Sequence, residues 1–117
     1  ADVANVKASD VALLSLGAAR LLRGSASSNS STTFYTVPSN KKAIMMFSSL
    51  KCTKVGPSPA WCSLMIYDGS DYYNVIALPY EQYEARHLLI RLEPGWQLIV
   101  DAGTDVLAVA VAEVIEI

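Results

Sequence analysis

From Thr32 onward, short runs of β-branched and aromatic residues are cut by turn-forming residues about every 8–12 positions. No helix of consequence is expected after residue 17, because the runs are rich in β-branched and aromatic residues and the clearest of them alternate with period two. The runs cover residues 32–37, 42–52, 61–68, 72–78, 86–92, 96–102 and 105–117. Between them stand Pro38-Ser39-Asn40, the Gly56/Pro57/Pro59 segment of residues 53–60, Asp68-Gly69-Ser70-Asp71, Pro79, Pro94-Gly95 and Gly103-Thr104. Gly95 tolerates the positive φ that a type II turn demands. The expected fold is all-β: an antiparallel β-sandwich or jelly roll of about eight strands. In the last strand Leu107, Val109 and Val111 alternate with Ala108, Ala110 and Ala112, which suits a strand packed on both faces.

Residues 1–31 read differently. Ser9 is placed to cap a short helix over residues 10–16, with Gly17 ending it. Residues 18–24 read as a short strand or an extended arm. The run Ser25-Ala26-Ser27-Ser28-Asn29-Ser30-Ser31-Thr32-Thr33 has the composition of a flexible linker. The expected division is an N-terminal arm and Ser-rich linker over residues 1–31 and one sandwich domain over 32–117, since 117 residues provide one core at most.

Nine Lys+Arg against 11 Asp+Glu give a net charge of −2, which argues against a strongly basic nucleic-acid binder and against an acidic solvating tail. The longest apolar stretch, residues 11–19, has about half the length of a bilayer span and lacks the basic lead of a signal peptide, so neither is expected. Apolar residues make up 52% of the chain and charged ones 17%. A small domain has much surface for its volume, so this surplus suggests that neighbouring subunits cover part of it.

Cys52 and Cys62 are too few for a disulfide scaffold, and with His87 the only histidine they do not make a zinc site. If residues 42–52 and 61–68 form an in-register hairpin, the two cysteines face each other, with Leu50 opposite Leu64 and Ser48 opposite Ile66. They are then either two buried thiols or a cross-strand disulfide.

A catalytic constellation is hard to assemble. His87 shares a strand face with Leu89 and Arg91, as a surface or interface histidine does. No nucleophile elbow, phosphate loop or dinucleotide fingerprint occurs. Asp68 and Asp71 lack the ligand spacing of a calcium loop. Glu81 and Glu84 are too close in one loop to flank a sugar bond. Lys41, Lys42, Lys51 and Lys54 suit the ends of an edge strand kept soluble. More informative are Tyr72, Tyr73, Tyr80 and Tyr83, within or beside residues 71–86, whose middle (79–85) reads as a loop. Tyrosines there form either a contact surface, since the ring buries area while the hydroxyl stays wet, or a lid on the core. A sugar-binding patch is a third use.

Residues 33–44 (TFYTVPSNKKAI), the strand they enter, and residues 92–100 (LEPGWQLIV) resemble small virion proteins of tailed bacteriophages, over about residues 32–117. Many members of that group carry Asp where this chain has Trp96. The resemblance implies a non-catalytic β-sandwich that decorates the head as a capsid decoration (cement) protein, or alternatively builds a tail, baseplate or fibre. It implies binding to the major capsid protein and to copies of itself, with trimers frequent in the group, at the virion surface after synthesis in the host cytoplasm. No catalytic, cofactor or metal residues follow, and neither nucleic acid nor membrane is an expected partner. The residues expected at the partner interface are Leu13, Leu14, Leu16, Leu21 and Leu22 of the arm, with Tyr72, Tyr73, Tyr80, Tyr83 and Arg86. A carbohydrate-binding module is the rival from another class.

Overall fold

A computed structural model describes residues 19–117. Nine antiparallel strands form among them: β1 (Ala19–Ala26), β2 (Ser30–Thr36), β3 (Ala43–Lys54), β4 (Trp61–Tyr67), β5 (Tyr72–Pro79), β6 (Gln82–Arg86), β7 (Ile90–Leu92), β8 (Gln97–Ala102) and β9 (Val106–Glu116). One sheet has five strands in the order β1-β9-β3-β6, with β7 also on β3; the other has four, in the order β2-β8-β4-β5. β1 pairs with β9, β2 with β8, β3 with β6 and β7, and β4 with β5. The pairing is nested, like one long hairpin folded over on itself, and that is the path of a jelly roll. The two sheets enclose a single core that includes Val37, Leu50, Leu64, Ile66, Ile76, Leu98, Val100 and Val106.

Nesting overturns the local hairpin read for residues 42–68. β3 and β4 lie in different sheets, so Leu50 pairs with Ala110 and Glu84 while Leu64 pairs with Val100 and Ile76. Turn residues reveal that the chain reverses, not whether it returns beside the strand it left or crosses to the opposite sheet. Here residues 55–60 cross over. The loop is held by the β8–β9 turn: Val55 N donates to Asp105 O (2.9 Å), Ala60 N to Thr104 O (2.9 Å) and Ser58 N to Asp105 Oδ2 (3.0 Å). Cys52 and Cys62 consequently face one another across the core, with Cα atoms 5.6 Å apart, and form a disulfide joining the two sheets.

The serine-rich run is no linker. β1 extends to Ala26 and β2 begins at Ser30, leaving a turn of three residues. Its side chains and backbone bond the β8–β9 turn: Asp105 N donates to Ser28 Oγ (2.6 Å) and Thr104 Oγ1 to Asn29 Oδ1 (2.9 Å), while the backbone N of Asn29 donates to Gly103 O (3.0 Å). Short polar side chains that bond nearby backbone are favoured in turns as well as in linkers, so composition alone does not separate the two. The boundary at residue 31 therefore falls inside the sandwich. The helix expected over residues 10–16, and Leu13, Leu14 and Leu16, lie outside the described residues.

Three further expectations change. Residues 79–85 are not a loop: a turn at Tyr80-Glu81 leads into β6, which pairs with β3 from Ser48↔Arg86 to Cys52↔Gln82. Residues 86–92 are not one strand, because β6 ends at Arg86 and β7 begins at Ile90. β9 packs fully on one side only. Its small face, Ala108, Ala110 and Ala112, is completely buried, whereas Val109 and Val111 are half-buried and Leu107 is exposed. Small residues allow the sheets to approach closely here; in the same row, opposite Ala110, stands Gly24, where a Cβ would lie 2.6 Å from the Phe34 ring.

The two segments that carry the phage resemblance meet in space. Val37 N donates to Trp96 O and Gly95 N donates to Val37 O, both at 2.9 Å, with Gly95 at φ +83°. Trp96 packs against the core beside them.

Candidate functional site

The inward side chains form one shared core, and the two outer faces of the sandwich differ in chemistry. On the five-stranded sheet the outward positions follow from the register: Leu21 beside Glu113, Arg23 beside Val111, and Val111, Val109 and Leu107 beside Ser49, Lys51 and Thr53. Lys51 in turn faces Tyr83, and Ser49 faces Ala85. Leu21 is 72% exposed and Tyr83 63%, and half-buried Phe47 holds the His87 ring at 5.0 Å between centroids. Three charged side chains, Arg23, Lys51 and Glu113, are scattered among these apolar ones.

On the outer face of the four-stranded sheet, Ser31, Thr33, Met65, Tyr67, Tyr72, Gln97 and Ile99 line a groove of about 580 Å3. Three rows of outward side chains cross this face. Ser31, Asp101, Ser63 and Ala77 form one row; Thr33, Ile99, Met65 and Asn74 the next; Thr36, Gln97, Tyr67 and Tyr72 the third. Ile99 points outward yet is buried, which makes it the floor. Two β-bulges produce the hollow. Phe34 is the extra residue in β2 opposite β8, and Val75 the extra one in β5 opposite β4. Each bulge turns its extra residue towards the core and bends its strand beside the floor. At one end Tyr67 and Tyr72 stack with centroids 4.5 Å apart, and the Tyr67 hydroxyl donates to Gly69 O at 2.9 Å, which fixes its ring. Trp61, 59% exposed, lies on the same side of β4 six residues away, about 20 Å along the strand.

The expected tyrosine patch is dispersed. Tyr72 belongs to the groove and Tyr83 to the opposite face; Tyr80 is exposed at the β5–β6 turn. Tyr73 is half-buried and donates its hydroxyl to Asp68 Oδ2 at 3.0 Å. Leu21 is on the exposed outer face, whereas Leu22 is half-buried and packs against the core. Arg86 is exposed and pairs with Glu84. Asp68 is occupied by its own turn: Oδ1 accepts from Asp71 N (2.7 Å) and Ser70 N (2.9 Å), and these bonds hold its carboxyl below the usual range. Glu81 Oε1 accepts from Lys54 N at 3.0 Å, away from any pairing with Glu84. The lysines separate, Lys41 reaching Glu116 at 3.7 Å and Lys51 lying on the outer face. Arg91 is buried and paired with Glu93 at 2.8 Å instead of sharing an exposed face with His87. No group of three or more His, Cys, Asp or Glu able to hold a metal occurs among the described residues.

A polar cluster closes the end of the sandwich where the chain's two outermost described strands meet. Glu116 accepts from the Tyr35 hydroxyl (2.7 Å) and from Arg20 Nη1 (2.9 Å). Tyr35, then Arg20 and Lys41, hold the Glu116 carboxyl below its ordinary value, while burial and Glu116 push the Tyr35 hydroxyl up.

Sequence reasoning named Tyr72 but missed Trp61, Met65, Tyr67, Gln97, Ile99 and Thr33. The alternation in residues 61–67 carried the signal: Trp61, Ser63, Met65 and Tyr67 alternate with Cys62, Leu64 and Ile66. In comparisons with known proteins, no family model and no curated protein matches this chain.

Proposed function

We propose that this chain is a structural protein of a tailed-phage particle, a decoration protein that attaches to the head through the outer face of its five-stranded sheet. The observation that carries this reading is the set of apolar side chains on that face, Leu21, Val111, Val109, Leu107 and Tyr83, with Arg23, Lys51 and Glu113 as the charged side chains among them. Exposed apolar side chains gathered on one face of a small domain favour coverage by a partner. The adjacency of the two motif segments supports it further, because Val37, Gly95 and Trp96 form one hydrogen-bonded unit. The partners are the major capsid protein and copies of the chain itself. Repetition over a shell lets a modest contact per copy hold firmly, because attachment becomes multivalent.

The test is addition of purified protein to particles lacking it. Native protein is expected to occupy the head, and Val111→Lys with Leu107→Asp is expected to leave the head bare while the variant stays folded. Full occupancy by that variant sinks the attachment surface. Copies confined to the tail would favour the rival assignment as a tail, baseplate or fibre component.

A further inference from the structure

We infer that the outer face of the four-stranded sheet binds a neutral oligosaccharide, laid along β4 from the groove at Tyr72 to Trp61 beyond it. Sugar rings have flat faces lined with C–H groups and rims lined with hydroxyls. A site for them needs exposed aromatic faces for the first and small polar side chains for the second. The groove supplies both. Tyr72, 60% exposed, offers the outer face of a ring whose inner face is backed by Tyr67. Because Tyr67 is tied to Gly69, the platform is set before any ligand arrives, which lowers the entropic cost of binding. Thr33, Ser31 and Gln97 line the groove around its buried apolar floor at Ile99 with hydroxyl and amide groups, and Asn74 stands at the outer end of the Met65 row.

Charge narrows the ligand class. Asp101 is the single charged side chain among the outward positions of these four strands, and no Lys or Arg accompanies it. A sulfated or sialylated glycan would meet a carboxylate with no cation to offset it. A single-stranded nucleic acid, which also stacks on aromatic rings, would lack the basic track its phosphates need. Length narrows it further. The two aromatic ends stand about 20 Å apart, so a chain of several sugar units contacts both and a disaccharide only one. This inference stands apart from the virion reading, since neither site shares a side chain with the other.

The test is a printed array carrying neutral glucose, galactose and N-acetylglucosamine oligomers beside sulfated and sialylated ones, followed by calorimetric titration of the best neutral tetrasaccharide. Binding to neutral oligomers is expected, weakened about tenfold or more by Tyr72→Ala and retained by Tyr72→Trp. Trp61→Ala should weaken the tetrasaccharide several-fold and leave the matching disaccharide unchanged. Thermal melting of each variant checks that it is folded. The inference is overturned by an array with no neutral hit, by hits confined to anionic glycans, or by binding indifferent to Tyr72→Ala in a folded variant. Equal losses for both oligomer lengths on Trp61→Ala would overturn the two-ended placement.

Discussion

The two outer faces of this sandwich come from the same alternation of inward and outward side chains, yet one is aliphatic and the other is a hollow edged by aromatic rings. On the five-stranded sheet the extra residue of the β3 bulge falls at Met46, near the end of the β3–β9 ladder, and Val109, Val111 and Leu107 lie clear of it. On the four-stranded sheet the bulges at Phe34 and Val75 fall on either side of Ile99 and sink it. The inner faces are both apolar and say little about role. What differs is where the register is interrupted, and that decides which outward side chains stand on an even face and which surround a hollow.

The largest effect should come from cutting what the two faces share. Cys52→Ala with Cys62→Ala removes a cross-link spanning ten positions, and a loss of about 3 kcal/mol is expected. Urea unfolding of the variant should match that of the native protein under reducing conditions. Ala110→Leu, pushed between the sheets beside Leu50 and Gly24, should cost about 2 kcal/mol by overpacking and weaken both faces together. Glu116→Gln should cost about 1–2 kcal/mol at neutral pH. Because the folded carboxyl is held below its ordinary value of 4.5, the stability it contributes is full above that pH and is lost as pH falls through the depressed value. The gap between native and variant unfolding free energies should therefore close in acid; a constant gap would mean that the carboxylate's charge, held by Tyr35 and then by Arg20 and Lys41, contributes nothing. Smallest in stability, and sharpest for the contrast, are Val111→Lys and Tyr72→Ala, each within about 1 kcal/mol of native. Val111→Lys should abolish particle occupancy and Tyr72→Ala leave it intact; identical behaviour of the two would erase the distinction between the faces.

The strands legible in the sequence are those buried on at least one face and bounded by strong punctuation: β2, β3, β4, β5, β8 and β9 each start and stop close to where residue types alone put them. β6 was hidden because Gln82–Arg86 is largely exposed at the sheet edge and has no alternation to detect. The turn between β1 and β2 was hidden because serines that bond a neighbouring loop look like serines that bond water. Pairing was the least legible. β4 with β5 is the only pair of consecutive strands hydrogen-bonded to each other among the described residues, and every other partnership is made across the sequence. The groove suffered from the same gap: its β4 residues can be read from their alternation, but Thr33 and Ile99 join them only once β2 and β8 are known to lie alongside.

Such long-range wiring has a consequence for how the molecule comes into being. Arg20 and Glu116 meet from 96 positions apart, and β9 lies between β1 and β3 at the middle of its sheet. During synthesis β1 and β3 must therefore wait, with their backbone amides unsatisfied by one another, until the ribosome has released almost the whole of this stretch. Closing so large a circuit is slow, and the waiting edges are open to pairing with other nascent chains. Yield in the cell should accordingly depend on how quickly the alanine-lined strand arrives, more than on the final strength of the fold.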